Sequence, residues 1–347
     1  MKTNYNDYLK RNIANNKFIA ILCLPIFIFS KIIPKSKKVK IFGSMNGYDI
    51  TDNSKYLFIN EYKQGYYFIT KNKTKLKTPI INDIYPIYYL SLKGLILQLI
   101  ASEAYYTHSV FDFFSPLIMG AKIIALWHGV PGKKINTALI EQKKYLKKVP
   151  LFLYTYIFPY KYYAYCNEVW CPNDALLPTY KECFIIGNPK IIIHKQPRNI
   201  YAKNMEANKN IILYAPTYRK NKSIYDIMKS LYFFNNETID ILNQNNIKII
   251  IRPHPIDLKS LLNSDLPDCY ELDCTGDVYD SIRSYGLLIT DYSSLYYDAL
   301  ELGIKTDFLQ NDIDEYDYDN GLFDSFRNLI ISNSTNNIVN VIKKYIQ

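Results

Sequence analysis

The chain has 347 residues, of which 48% are hydrophobic and 21% are charged, and its formal net charge is +10. This length is enough for two domains of ordinary size, and the composition is that of a globular protein, which excludes a disordered chain. The six cysteines show no Cys-x-x-Cys spacing and no histidine at zinc-finger distance. We therefore expect reduced thiols, and neither a structural zinc site nor a disulfide framework.

The charge is distributed unevenly along the chain. Residues 1–256 carry a net charge of +21, whereas residues 257–347 carry −11. This division predicts that the first part faces an anionic partner, such as a phospholipid surface, a nucleotide or a phosphate-bearing acceptor. We do not expect nucleic acid, because no helix-turn-helix, zinc-finger or ribonucleoprotein pattern accompanies the charge.

Residues 1–38 combine basic side chains with an apolar run, Phe18–Phe29, that contains Pro25. The run is shorter than the ~20 residues of a membrane-spanning helix. No small-x-small cleavage site follows it, which argues against a signal peptide. We predict a segment that lies on an anionic membrane surface. The alternatives are a buried first helix of the next domain and a spanning anchor over residues 18–33.

Predicted strands alternate with predicted helices along the rest of the chain, and a polar linker is predicted at 195–209. The strands of the first block are 39–44, 66–70, 104–107, 122–127, 168–171 and 184–186, with a helix at 88–102. The strands of the second block are 210–214, 247–251, 287–290 and 306–309. This alternation predicts an α/β protein with two doubly wound, Rossmann-like domains, 39–200 and 205–347.

Polar side chains follow four of the predicted strands, where parallel sheets bind their ligands. The candidates at these positions are His128, Lys133, Lys134, Thr217, Arg219, Arg252, His254, Thr290, Ser293 and Ser294. An imidazole with a pKa near ~6.5 can accept a proton from a hydroxyl at neutral pH. The alternative for each of these histidines is a structural role, which is also what we predict for His108 and His194.

The stretch 287–298 predicts a buried strand, a hydroxyl-rich turn and a helix that Ser293 or Ser294 caps. Free N–H groups at such a helix start bind anions. Asp291 and Asp298 are expected to order the turn, since a carboxylate would repel a phosphate. No Walker loop, G-x-G-x-x-G or metal-ligand cluster is present. Cations without an evident metal indicate transfer or release of a phosphate-bearing group.

Four of these motifs, in this order, resemble those of the CDP-glycerol glycerophosphotransferases of teichoic-acid and capsule synthesis. The family's His-Gly-Thr-Pro-Leu-Lys is similar to residues 128–133, where Val130 replaces the threonine and Gly132 the leucine. Tyr-Ala-Pro-Thr-aromatic-Arg is matched at 214–219, Arg-Pro-His-Pro at 252–255, and Thr-Asp-Tyr-Ser-Ser with a later aromatic-Asp pair at 290–298. A Ser-Asp-Asn-Ser-Lys-like element is similar to residues 51–55.

The resemblance implies the two-Rossmann-domain glycosyltransferase-B fold, with a cleft between the domains, in an enzyme at the cytoplasmic face of the bacterial membrane. The implied reaction is attack of a hydroxyl, on a lipid-linked or glycan acceptor, on the β-phosphorus of CDP-glycerol or another CDP-polyol. CMP is released, and neither a cofactor nor a metal is implied. His128 would be the general base and His254 with Arg252 would stabilise charge, although the two histidines could exchange roles.

The remaining site residues follow from the same resemblance. Ser293 and Ser294, with Thr217, Arg219 and Thr290, would hold the donor. Lys133 and Lys134 would lie on the acceptor or phosphate side. Because a fold does not fix a function, two alternatives stay open: a glycosyltransferase that uses a nucleotide sugar in surface polysaccharide synthesis, and an inactive membrane-bound adaptor.

Overall fold

The computed structural model describes residues 17–138, 155–254, 257–262, 264–273 and 276–347. The chain divides into two compact units. Unit 1 comprises Met1–Val130 and Ile135–Tyr201, and unit 2 comprises Pro131–Lys134 and Ala202–Gln347. A four-residue segment from the middle of the chain therefore belongs to the second unit.

Unit 1 is built on a seven-stranded parallel sheet of order β3-β2-β1-β4-β5-β6-β7. Its strands are β1 (Ser36–Gly43), β2 (Tyr66–Thr70), β3 (Ile87–Tyr88), β4 (Ala101–Tyr106), β5 (Lys122–Ala125), β6 (Glu168–Cys171) and β7 (Lys190–Ile193). Its helices are α1 (Lys17–Ile32), α2 (Asp52–Glu61), α3 (Leu92–Ile100), α4 (Ser115–Ile118), α5 (Leu177–Cys183) and α6 (Pro197–Ile200).

Unit 2 is built on a six-stranded parallel sheet of order β10-β9-β8-β11-β12-β13. Its strands are β8 (Asn208–Ala215), β9 (Lys248–Ile251), β10 (Tyr270–Leu272), β11 (Tyr285–Thr290), β12 (Thr306–Leu309) and β13 (Ser334–Thr335). Its helices are α7 (Ile224–Ser230), α8 (Asn236–Gln244), α9 (Leu258–Leu262), α10 (Leu295–Glu301), α11 (Ile313–Asn320), α12 (Asp324–Asn333) and α13 (Ile338–Ile346).

Both sheets have the strand order of the Rossmann fold. The first strand of each unit lies inside the sheet, the next two strands are added on one side of it, and the later strands are added on the other side. The strands are rich in β-branched residues because helices cover both faces of such a sheet. In β9, for example, Ile249 and Ile251 are fully buried in the core of unit 2. The predicted α/β class with two Rossmann-like domains is thus confirmed.

Local predictions differ in accuracy. The strands predicted at 66–70, 168–171 and 306–309 have the predicted bounds. The predicted strand at 184–186 is wrong: Phe184 packs against the rings of Trp127 and Tyr180 in a loop, and Gly187 turns the chain with a φ of +92°. The predicted linker 195–209 contains α6 and the start of β8, and the helix predicted at 88–102 is shortened to α3.

Helix α1 has one buried side and one exposed side, although both are apolar. Ala20, Cys23 and Ser30 are buried against unit 1, where the hydroxyl of Tyr160 donates to the carbonyl oxygen of Ala20 at 2.7 Å. The exposed side consists of large apolar residues at helical spacing, namely Phe18, Ile21, Leu22, Ile28, Phe29 and Ile32. No helix within the described ranges is long and apolar enough to cross a membrane. The helix is therefore partly core, and its outer face is available to a non-aqueous partner.

Candidate active site

One group of candidate residues lies at the carboxyl ends of neighbouring strands of unit 1. His108 follows β4 after Thr107, and His128 follows β5 after Trp127. Since β4 and β5 are hydrogen-bonded neighbours, the two histidines meet, and their rings stack with centroids 4.3 Å apart and planes 10° from parallel. We predicted a functional role for His128 and a structural one for His108. The structure brings the two together.

The hydrogen bonds of His128 define its tautomer. Its Nδ1 lies 3.1 Å from the carbonyl oxygen of Thr107, and a carbonyl oxygen can only accept. Nδ1 therefore carries the proton and Nε2 carries the lone pair. The ring is exposed, so that Nε2 can receive a proton from a substrate hydroxyl.

The surroundings of His128 keep the ring neutral near pH 7. Although His128 keeps solvent-accessible surface, the protein crowded around it reduces the hydration of the ring, and this loss of hydration lowers its pKa below the ordinary value of 6.5. The Asp52 carboxylate and the hydrogen bond to Thr107 oppose this effect on the pKa, and Arg198 adds to it. The net result is a lowered pKa, and a neutral imidazole is the form that a general base requires.

The loop that carries His128 has a strained backbone conformation. Trp127 has a φ of +55°, which is costly for a non-glycine residue, and Gly129 has a φ of +139°. The buried Asn53 stabilises this conformation, because its Nδ2 donates to the carbonyl oxygen of Trp127 at 2.8 Å. The Asn53 Oδ1 accepts from the N–H of Arg198 at 3.1 Å, and the Arg198 guanidinium pairs with Asp52 at 2.7 Å.

Asp52, Asn53 and Arg198 were not among the predicted site residues. The sequence did indicate two of them, Asp52 and Asn53, through the family-like element at 51–55. Nothing in the sequence indicated Arg198, which lies within the segment predicted as a linker.

We expect Asn53→Ala to lower the free energy of unfolding by about 2–3 kcal/mol, because it leaves buried donors and acceptors without partners. Denaturant unfolding measures the change. Asn60→Ala is the matched control, since Asn60 lies exposed in the same helix α2 and should change the stability by less than about 0.5 kcal/mol. Equal losses in the two variants would show that Asn53 does not support the loop.

A second group of candidate residues lines a pocket within unit 2, beyond the carboxyl ends of β8, β9 and β11. The predicted site residues that line it are Lys133, Thr217, Arg252, His254, Ser293 and Ser294. Three cationic or titratable groups and three hydroxyls thus share one concave surface. Such a surface suits a diphosphate, because ammonium and guanidinium groups and hydroxyls donate to phosphate oxygens.

The cations of this pocket are held by neighbouring groups. The Arg252 guanidinium donates to Asp273 at 2.5 Å and to the carbonyl oxygen of Gly276 at 2.7 Å. The Lys133 ammonium lies 4.9 Å from the centre of the Tyr316 ring. Loss of hydration and the nearby Lys133 charge both lower the pKa of His254 below 6.5. At neutral pH His254 is therefore a neutral hydrogen-bond donor rather than a cation.

The turn between β11 and α10 supplies the hydroxyls. The Ser293 Oγ accepts from the N–H of Leu295 at 3.2 Å, whereas Ser294 makes no capping bond through its side chain. Asp291 accepts from the N–H of Thr217 at 2.9 Å and from that of Tyr292 at 2.5 Å. The predicted cap and the predicted ordering role of Asp291 are confirmed.

Two predicted phosphate ligands have internal roles. The Arg219 side chain is 6% exposed and pairs with Asp291 and Asp312, each at 2.9 Å. Thr290 is fully buried, and its hydroxyl donates to the carbonyl oxygen of Ala215 at 2.7 Å. Both side chains tie strand ends together, because their polar groups are committed to protein partners. Their predicted role in binding the donor stays a prediction, beside these internal contacts.

The segment Pro131–Lys134 belongs to unit 2, although it lies in sequence within the range 39–200 predicted for the first domain. The N–H of Lys134 donates to the carbonyl oxygen of Gly321 at 2.7 Å, and the N–H of Phe323 donates to that of Gly132 at 3.0 Å. These bonds attach the segment to unit 2. Lys133 consequently lines the same pocket as Arg252 and His254, whereas Lys134 does not line it.

Close packing explains why residue 132 is glycine, where the family pattern has leucine. A Cβ atom on Gly132 would lie 2.5 Å from the Phe326 ring. We expect Gly132→Leu to lower the free energy of unfolding by about 1–3 kcal/mol through overpacking. Phe326→Ala is itself destabilising, but the double variant should lose less stability than the sum of the two single changes, because the smaller side chain makes room for the leucine. Thermal unfolding tests both variants, and a double variant less stable than the sum of the single changes would contradict the explanation.

No group of three or more metal-ligating side chains occurs in the part of the chain that the structure describes. The five cysteines in that part are buried and free.

Residues 26–347 match the family model of the CDP-Glycerol:Poly(glycerophosphate) glycerophosphotransferases. The chain belongs to this family. The predicted resemblance is thereby confirmed over nearly the whole sequence, and the motifs at the strand ends are those of a glycerophosphotransferase-family enzyme.

Two relatives within the family are teichoic acid poly(glycerol phosphate) polymerases. The protein of Bacillus spizizenii is 26% identical over 319 residues, which cover 84% of this chain and 78% of the relative. That of Staphylococcus epidermidis is 24% identical over 311 residues, which cover 81% of this chain and 41% of the relative. The chain thus spans most of the first relative and about two fifths of the second.

Solved structures of the wall teichoic acid polymerase TagF have the same fold. One, of a variant soaked with CDPG, is 18% identical with a TM-score of 0.62, and the match covers 99% of this chain and 88% of that chain. Another has 19% identity, a TM-score of 0.58, and coverage of 90% and 81%. These likenesses agree with the two Rossmann-like units described above.

Proposed function

We propose that this glycerophosphotransferase-family enzyme transfers glycerol phosphate, or a related polyol phosphate, from a CDP-activated donor to a hydroxyl of a lipid-linked or glycan acceptor. The reaction releases CMP and extends or primes a teichoic-acid-like or capsular polymer. The observation that carries the proposal is the pocket of unit 2, in which Lys133, Arg252 and His254 face the hydroxyls of Ser293 and Ser294. A nucleoside diphosphate linked to an alcohol presents the negative charge that these groups complement.

The chemistry follows from the tautomers and charges of the site residues. The acceptor oxygen attacks the β-phosphorus and gives its proton to Nε2 of His128. The bond between the β-phosphorus and the bridging oxygen breaks, and the electron pair leaves with CMP. Arg252 and Lys133 stabilise the charge that develops on the phosphate oxygens, and His254 donates a hydrogen bond to them. Ser293 and Ser294 hold the diphosphate.

Turnover of candidate donors tests this proposal. The purified full-length protein is incubated with CDP-glycerol, CDP-ribitol and several UDP-sugars in the presence of a membrane-lipid acceptor extract, and release of CMP or UDP is measured. We expect CMP from a CDP-polyol. UDP release without CMP would identify a glycosyltransferase, and release of neither nucleotide from the folded protein would favour the adaptor.

We further propose that α1 attaches the protein peripherally to the cytoplasmic face of the membrane. The exposed fraction is 69% for Phe18 and 72% for Ile32, and six large apolar side chains share the exposed side of this helix. Lys31 lies in its last turn, and the exposed Lys37 and Lys38 come shortly after its end, where ammonium groups suit anionic headgroups. An apolar face beside basic residues favours a lipid surface over water.

Replacing Phe18, Leu22 and Phe29 together by serine should weaken sedimentation with phosphatidylglycerol vesicles about 10-fold or more, since burying each such side chain contributes ~1.5–3 kcal/mol. The side chains that pack on unit 1 are untouched, so the fold should persist. High salt should weaken binding of the parent protein further, because it screens the lysines.

A matched triple variant controls for the loss of apolar surface. Leu262, Leu300 and Ile331 are exposed apolar residues on helices of unit 2, and their replacement by serine should leave sedimentation unchanged. If both triple variants sediment like the parent protein, α1 is not the attachment site.

A further inference from the structure

We propose that His108 is a positioning residue for the general base: its ring stacks on His128 and, with Thr107, holds that ring in the tautomer that leaves Nε2 free. The proposal rests on the proposed role of His128. It assigns a function to a histidine that neither the motifs nor the pocket of unit 2 includes.

The stacking geometry is close and nearly parallel. The ring centroids of His108 and His128 are 4.3 Å apart, with 10° between the planes. The Trp127 ring also lies near that of His128, with ring centroids 4.6 Å apart and an angle of 33° between the planes. The imidazole of His128 thus has aromatic neighbours that oppose rotation of its ring.

The two imidazoles have complementary tautomers. The N–H of Met45 donates to Nδ1 of His108 at 3.3 Å, and the hydroxyl of Thr107 lies 2.9 Å from the same atom. A backbone N–H cannot accept, so Nδ1 of His108 carries the lone pair and its Nε2 carries the proton. In His128 the arrangement is reversed, because Nδ1 donates to the Thr107 carbonyl oxygen.

One residue, Thr107, therefore fixes both rings, one through its hydroxyl and the other through its carbonyl oxygen. Thr107 is fully buried, and its own N–H donates to Asp112 at 3.1 Å. Asp112 is also fully buried, so the support behind the pair is rigid. The segment whose N–H donates to His108 has a strained backbone, with φ of +51° at Met45 and +55° at Asn46.

The charges around the pair favour two neutral rings. Burial has the largest effect on the pKa of His108, which it lowers well below 6.5, and the His128 imidazole and Arg198 lower this pKa further. Arg198 also lowers the pKa of His128, while Asp52 raises it. Behind Thr107, burial raises the pKa of Asp112 to about 7, an effect that Lys71 opposes. A neutral His108 stacks on the base without competing for its proton.

The test uses the full-length protein with ¹⁵N-labelled histidine. Nuclear magnetic resonance should show the Nδ1–H tautomer for His128 and the Nε2–H tautomer for His108 in the parent protein. His108→Ala should give a mixture of tautomers at His128 and raise its pKa by about 0.5 unit toward 6.5. His108→Phe retains a stacking ring and should keep the parent tautomer at His128.

Activity supplies a second measurement. With a donor that the protein turns over, His108→Ala should lower kcat about 10-fold, leave the KM for the donor unchanged and shift the acidic limb of the pH profile upward. His108→Phe should restore most of kcat. His194→Ala is the matched control, because His194 stacks on Trp170 at 4.0 Å in the same unit and should change none of these values.

Two results would overturn the proposal. One is a folded His108→Ala protein in which the tautomer and the pKa of His128 are those of the parent. The other is a parent protein in which His128 carries its proton on Nε2, which can be measured even if a variant does not fold. If no donor is turned over but the spectra are as expected, the proposed function fails and the positioning of His128 by His108 stands.

Discussion

Replacing His128 by asparagine should lower the rate of CMP release from the CDP-polyol donor by about 10²–10⁴-fold, which is the usual contribution of a general base. The asparagine amide can still donate to the Thr107 carbonyl oxygen, which His128 contacts at 3.1 Å, but it cannot accept a proton from the acceptor hydroxyl. The measurement is kcat at pH 7.5, with circular dichroism to show that the fold is retained.

The pH dependence of the parent enzyme provides an independent check of the same group. The lowered pKa of His128 keeps the base unprotonated at neutral pH, so the rate should be flat there and should fall only as the pH drops through a value below 6.5. His194→Asn is the control and should retain the parent rate. A His128→Asn rate within about threefold of the parent would mean that another group takes the proton.

Replacing Arg219 by alanine should lower the free energy of unfolding by about 3–5 kcal/mol, because it leaves Asp291 and Asp312 as buried carboxylates without their cation. Arg219 also lies beside the stacked rings of Tyr292 and Tyr316, with its guanidinium carbon 4.6 Å from each ring centre. Urea unfolding of the two proteins at pH 7 measures the difference.

Arg327→Ala is the matched control for this loss. Arg327 also pairs with two carboxylates, those of Asp314 and Asp317, but its side chain is 29% exposed and that of Asp314 is 85% exposed. Because exposed ion pairs contribute ~0–1 kcal/mol, this variant should be nearly as stable as the parent. If Arg219→Ala instead raised the KM for the donor and left the stability unchanged, Arg219 would be a phosphate ligand, as the sequence alone had predicted.

Structural features that depend on short stretches of the chain could be predicted well from the sequence. The β-branched runs of β9 and β11 end in polar motifs, and parallel sheets collect such ends at one edge. His254, Ser293 and Ser294 could therefore be placed together, and they do line one pocket. The capping serine was also predictable, since the cap lies next to the helix that it starts.

The sequence could not predict which polar side chains form hydrogen bonds or ion pairs with residues far away along the chain. The carboxylates that hold Arg219 lie 72 and 93 residues further along the chain. Asn53 reaches Trp127 across 74 residues. A motif records that an arginine or an asparagine is present, but only the tertiary fold decides whether it faces a ligand or another side chain.

The stacking of His108 on His128 belongs to the same class. The two residues follow neighbouring strands, and their contact depends on the register that pairs Tyr106 with Ala125 at the ends of these strands. A shift of one residue would point one ring to the opposite face of the sheet. Strand order and register were not available from composition or spacing.

Helix α1 has a consequence for handling the protein in solution. Its outer side chains are apolar and exposed, and its inner side chains belong to the core of unit 1, so the helix cannot be removed to improve solubility. In buffer without lipid, two molecules can cover this surface most readily by pressing their α1 faces together. We therefore expect concentration-dependent self-association that mild detergent or lipid nanodiscs reverse, and that serine at Phe18, Leu22 and Phe29 abolishes.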